Sequence, residues 1–165
     1  MKHAHVMLAA TAALAAPLAW SAAGEAQTGT LSQSKVGPFT IDYITEKGKF
    51  DRCAATLSPG PNMLRIAYTR ALVYSISVPG VPVPARTIDF HFGGETFSAT
   101  PATDPKRIRA WAAVDPTAIN ALMTVQGTID ITLGSKAYSW PIGRTKMEDV
   151  MVALENCTHK AMGHS

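Results

Sequence analysis

With 165 residues, 47% of them apolar and 16% charged, the chain can bury one real core and has the composition of a globular protein. Its net charge of +3 is mild and its basic residues form no block, which excludes the usual profile of a nucleic-acid-binding protein. It holds two cysteines and no Cys-x-x-Cys, nucleophile-elbow or nucleotide-binding pattern, so no cofactor or catalytic motif is expected.

A short basic start, Met1-Lys2-His3, leads into an apolar run from Val6 to Trp20. Small residues follow at Ser21-Ala22-Ala23-Gly24-Glu25-Ala26. That order is the pattern of a cleavable secretory signal over 1–26, with cleavage expected after Ala26 and Ala23 as the alternative. The run is shorter than the about 20 apolar residues a membrane helix needs. No later stretch reaches that length, so no transmembrane segment is expected after cleavage. The expected location is a Gram-negative periplasm.

Residues 27–37 are rich in Gly, Ser, Thr and Gln and read as a flexible tail before a single domain over 38–160. Strand signals then recur at short spacing. Phe39, Ile41 and Tyr43 alternate with Thr40 and Asp42, and a turn at Lys47-Gly48 leads to a strand from Phe50 to Leu57. After the break at Ser58-Pro59-Gly60-Pro61, Leu64, Ile66 and Tyr68 alternate with Arg65 and Ala67. Tyr74, Ile76 and Val78 alternate with Ser75 and Ser77. Period-two alternation between Gly/Pro breaks predicts half-buried strands. The prolines from Pro79 to Pro84 predict a loop or sheet edge.

Two hairpins are sharply specified. A turn at Gly93-Gly94 sets His91 opposite Thr96 and Asp89 opposite Ser98, with Ile88, Phe90, Phe92 and Phe97 on the other face. A turn at Gly134-Ser135 sets Ile131 opposite Tyr138 and Ile129 opposite Trp140. Between them, Arg107 to Val114 alternates as a strand. Asp115-Pro116 predicts an N-cap and first-turn proline for a helix of about three turns ending at Gly127. Thr145 and Glu148 have capping-box spacing. Met147, Val150, Met151, Leu154 and Cys157 then form a helical stripe that aims Cys157 at the core. Residues 161–165 are polar and predict a frayed end.

Two cysteines in an exported chain are expected to pair, tying the Cys53 strand to the final helix through Cys157. Three side-chain groups could carry function. Asp89, His91 and Ser98 share one hairpin face and could form an acid–base or nucleophilic site, or an ordinary solvated sheet face. Arg107, Arg109 and Trp111 would line one strand face, a basic-aromatic stripe suited to an anionic or carbohydrate-like partner. Glu155, His159 and His164 lack a further ligand with metal-site spacing, so no metal is expected.

Phe50-x-x-Cys53-Ala54, a β-rich middle and a closing Leu154-x-x-Cys157 helix resemble small Gram-negative periplasmic proteins of unknown function. The Pro79-Gly80 loop, the Ile88-Asp89 strand and the closing helix resemble, in outline, the invasion-associated locus B class of envelope proteins. Neither group implies a catalytic site.

The expected fold is mainly β: an antiparallel sandwich or partly closed barrel of seven to nine strands, with a C-terminal helix packed on it. The expected function is that of a non-enzymatic envelope protein that binds another protein or a cell-envelope component. The alternatives are an inhibitor or immunity-type protein acting on a toxin or hydrolase, and a minor hydrolase using Asp89, His91 and Ser98.

Overall fold

A computed structural model describes residues 28–106 and 108–163. The expected signal at 1–26, Arg107 and His164 lie outside the described residues. The fold is an antiparallel β-sandwich with a helix, α2, at its C-terminal end. Neither sheet closes on itself, so the sandwich rather than the barrel is the architecture present.

The larger sheet runs in the order β1-β2-β3-β4-β5-β9-β8. Its strands are β1 (Thr28–Val36), β2 (Phe39–Glu46), β3 (Lys49–Leu57), β4 (Leu64–Thr69), β5 (Tyr74–Pro79), β8 (Ala102–Thr103) and β9 (Arg109–Ala113). The smaller sheet runs β11-β10-β6-β7, built from β6 (Ile88–Phe92), β7 (Glu95–Ala99), β10 (Gly127–Leu133) and β11 (Lys136–Gly143). Both hairpin registers are those the alternation predicts: Phe92 faces Glu95, His91 faces Thr96, and Ile131 faces Tyr138. A strand slipped by one residue would send its apolar set to solvent, and that penalty fixes the register.

The inner faces supply the core. Ile41, Ala55, Ile66, Ile76 and Ala112 come from the larger sheet, and Ile88, Phe90, Phe92, Ile129 and Ile131 from the smaller. Burying each of the larger side chains stabilises the fold by about 1.5–3 kcal/mol. Two side chains of β11 reach across to the other sheet's loops. Trp140 Nε1 donates to the Asn62 carbonyl at 2.6 Å and Tyr138 Oη to the Pro79 carbonyl at 3.1 Å.

Helix α2 (Met147–Ala161) lies on β2, β3 and β4 and buries Met147, Val150, Met151 and Leu154 against them. At its far end Cys157 forms a disulfide with Cys53, Thr158 donates to the Tyr68 carbonyl, and Tyr74 donates to Glu155. The sequence-predicted staple is therefore in place.

Four expectations are corrected. Residues 28–36 are not a tail: they pair with β2 as edge strand β1, because Gly37 at φ 55° turns the chain back. Among the described residues the strands number eleven, since β1 and the two-residue β8 carry no apolar pattern to mark them. Helix α1 (Pro116–Met123) has eight residues, about two turns, and ends at Thr124 because Gly127 already opens β10. Asp115 caps it as expected, accepting from the Thr117 amide. Finally, Thr145 does not cap α2. Lys146 takes the N-cap position without a side-chain bond, while Thr145 packs so closely on Gly37 that a Cβ there would meet its Oγ1 at 2.1 Å. The threonine is spent on seating the β1–β2 turn.

Candidate functional site

Two of the three residue groups singled out in the sequence fall on opposite surfaces. Asp89 and His91 project from β6 on the outer face of the smaller sheet. Arg109 and Trp111 project from β9 on the outer face of the larger one.

On the smaller sheet, direct cross-strand pairing sets Thr96, His91, Asp130 and Ser139 in one row and Ser98, Asp89 and Thr132 in the next. Hydrogen bonds link these neighbours. Ser98 donates to Asp89 at 2.7 Å, and His91 shares bonds with Thr96 at 3.1 Å and Thr132 at 3.0 Å. Thr128 donates to Asp130. The serine is thus bonded to the carboxylate and the imidazole to two threonines. A general base must lie within hydrogen-bond reach of its nucleophile, and here His91 is engaged elsewhere. His91, Thr96 and Ser98 are exposed on an open face.

The larger sheet's outer face is built differently. One row of direct neighbours runs Thr40, Thr56, Arg65, Ser77, Trp111, and the next runs Asp42, Ala54, Ala67, Ser75, Ala113. Arg52 stands one row beyond, with only the Ala54–Ala67 pair between it and Arg65. Ile44, Ala54 and Ala67 bury one another as a small apolar cluster beneath these long side chains.

Asp42 is buried here at 6% exposure. Its carboxylate accepts from Ser32 at 2.9 Å and Thr56 at 2.7 Å. Arg109 folds back over β5. Its guanidinium donates to the Met63 carbonyl and to both the carbonyl and hydroxyl of Ser77, the latter at 2.8 and 2.6 Å. Asp104 fixes the strand entry by accepting the Ile108 and Arg109 backbone amides. Arg65 makes only long contacts, 3.4 Å to Thr56 Oγ1 and 3.7 Å to Met63 Sδ.

Burial and then the like charge of Arg65 pull the Arg109 pKa down to about 10, so it remains charged at neutral pH. Burial and then Arg52 lower that of Arg65. Trp111 stands at the margin of this cluster with 38% of its surface exposed. The face is cationic, partly desolvated and bordered by an open indole.

Arg52 and Arg65 were missed in the sequence because each falls at the polar phase of an ordinary strand. The signal existed: both alternate out of phase with Cys53 and Ile66. Bringing Arg65 beside Arg109 needs the β5–β9 pairing, which spans the whole β6–β7 hairpin and has no local mark.

Glu155 accepts from Tyr74 at 2.6 Å, while the His159 ring stands edge-on to Tyr68, centroids 6.3 Å apart. Among the described residues no group of three or more His, Cys, Asp or Glu is placed to hold a metal. The same residues include no helix long and apolar enough to cross a membrane.

No family model, no curated protein and no solved structure matches the chain.

Proposed function

We propose that this is an exported, non-enzymatic envelope protein that works by binding a cell-envelope component, with the outer face of the larger sheet as its binding surface. The observation that carries this reading is the cluster of Arg52, Arg65 and Arg109 beside the exposed Trp111. The Arg109 guanidinium is held in place by neutral partners, Arg52 is ion-paired with Asp51, and the buried Asp42 carboxylate accepts from two hydroxyls. Preorganised donors favour an anionic partner, because the cost of ordering them is met by the fold itself. The signal pattern at 1–26 and the single disulfide support export. The smaller sheet's polar face supports binding over catalysis, since its serine, histidine and carboxylate bond to neighbours that form no relay.

The test is affinity selection from a detergent extract of the host envelope, using the purified disulfide-bonded protein as bait. A component retained by the native protein and lost with the Arg65→Gln/Trp111→Ala double variant is the expected result. Recovery of nothing above background, or equal recovery by the double variant, refutes the reading. Cell fractionation checks export independently, with the mature N-terminus expected at Gly24 or Gln27.

A further inference from the structure

We infer that the ligand of this face is a sugar ring carrying an anionic group, a carboxylate or a phosphate, laid against Trp111 with its charge toward Arg109 and Arg65. The inference rests on the binding role proposed above and names its chemistry.

The register defines the shape. Arg65, Ser77 and Trp111 are direct neighbours on β4, β5 and β9, so the first and last lie two strand spacings apart, about 10 Å. The residue between them is a serine. The row alongside continues with Ser75 and Ala113, the latter exposed. Arg65 and Trp111 thus flank a short residue over which the Arg109 guanidinium lies, so two cations stand beside a partly exposed indole. The indole suits the C–H face of a sugar ring.

Charge sets the rest of the specificity. Arg109 lies over Ser77, where Arg65 is close enough to disfavour its charge. Asp42 offsets part of the charge of Arg65 and Asp104 part of that of Arg109, each carboxylate being itself held by hydrogen-bond donors. Two like charges held together while half desolvated are unfavourable until an anion sits between them. A neutral sugar would use the indole alone. An acidic polypeptide could use the arginines but has no ring for the indole, and two observations on one surface favour a ligand with both features.

The test uses the disulfide-bonded protein at low salt and reads the part of the tryptophan fluorescence that the Trp111→Phe variant removes. The probes are a galacturonate oligomer, glucose 6-phosphate, a neutral galactose oligomer and a polyglutamate peptide. Saturable quenching by either anionic sugar, at least about tenfold tighter than by the neutral oligomer, is expected. Which of the two binds identifies the charge as carboxylate or phosphate. Arg65→Gln should weaken that binding about tenfold, and Arg65→Lys should recover only part of it, since a point charge lacks the guanidinium fork. Unchanged near-ultraviolet circular dichroism confirms that each variant is folded. Binding by neither anionic sugar overturns the inference, as does polyglutamate binding as tight as that of the better anionic sugar. If the sugars fail while envelope capture still depends on Arg65 and Trp111, the ligand class is wrong and the binding role stands. Failure of both removes both.

Discussion

The outer faces of the two sheets arise from the same alternation of apolar and polar residues, yet they end in opposite states. On the smaller sheet the polar side chains are short, and Asp89, His91 and Asp130 each have a hydroxyl within reach. The lattice satisfies itself. On the larger sheet the polar phase carries arginines over a floor of alanine and serine. Arg52 is paired with Asp51, but the Arg109 donors are held by carbonyls and a hydroxyl, which fix position without cancelling charge. A surface of the first kind gains little from a ligand, because its hydrogen bonds would first have to be broken. A surface of the second kind gains charge pairing that the fold does not provide.

The comparison can be broken at its foundation by removing the staple that seats α2 beneath the larger sheet. Cys53 and Cys157 are 104 residues apart, so the Cys53→Ala/Cys157→Ala variant should lose about 4–5 kcal/mol on the chain-entropy argument, measured by urea unfolding. Near-equal stability would mean that the core holds the helix without the bridge. Next in size is Asp42→Ala, which strips the larger sheet's face of a buried acceptor and orphans the Ser32 and Thr56 donors. A loss of about 2–3 kcal/mol is expected by the same measurement. The smaller sheet should respond less. Asp89→Ala or His91→Ala should each cost within about 1 kcal/mol, as exposed cross-strand pairs do. They should also leave the Trp111 fluorescence response unchanged. If Asp89→Ala costs as much as Asp42→Ala, the two faces are not different in kind.

Much of this was legible in the sequence where one physical cause acted alone. The Gly93-Gly94 and Gly134-Ser135 turns fixed the registers of both hairpins of the smaller sheet, and the helical stripe ending at Cys157 located the disulfide. Edge strand β1 was not legible, because it buries almost nothing and its Gly, Ser and Thr look like a tail; main-chain pairing with β2 makes it a strand. Thr145 misled because a capping residue and a packing residue share one side chain, and contact with Gly37 prevailed. Of the candidate surface, Arg109 and Trp111 could be read from one strand's parity. Arg65 could not, since its company with Arg109 depends on pairing between strands far apart in the chain.

The smallest effect tests whether the two faces are independent. Helix α1 follows β9 of the larger sheet and packs on β6 of the smaller, and its N-cap Asp115 accepts the Thr117 amide at 2.7 Å. That bond holds the Asp115 carboxyl below its ordinary 3.8. The fold therefore favours the charged form, and the stabilisation is fully present above the unfolded value of 3.8. It is lost as pH falls through the lower, folded value. The melting temperature of the native protein should exceed that of Asp115→Ala by a constant small margin from neutral pH down to about pH 5, and the margin should close below about pH 4. Trp111 sits four residues upstream but is held by its ladder to Ser77 on β5, not by the helix. Loosening the cap should therefore leave the fluorescence response to an anionic sugar where it was. A response that weakened in step with the cap would show that α1 couples the sheets, and that the larger sheet's face is set partly by the smaller one behind it.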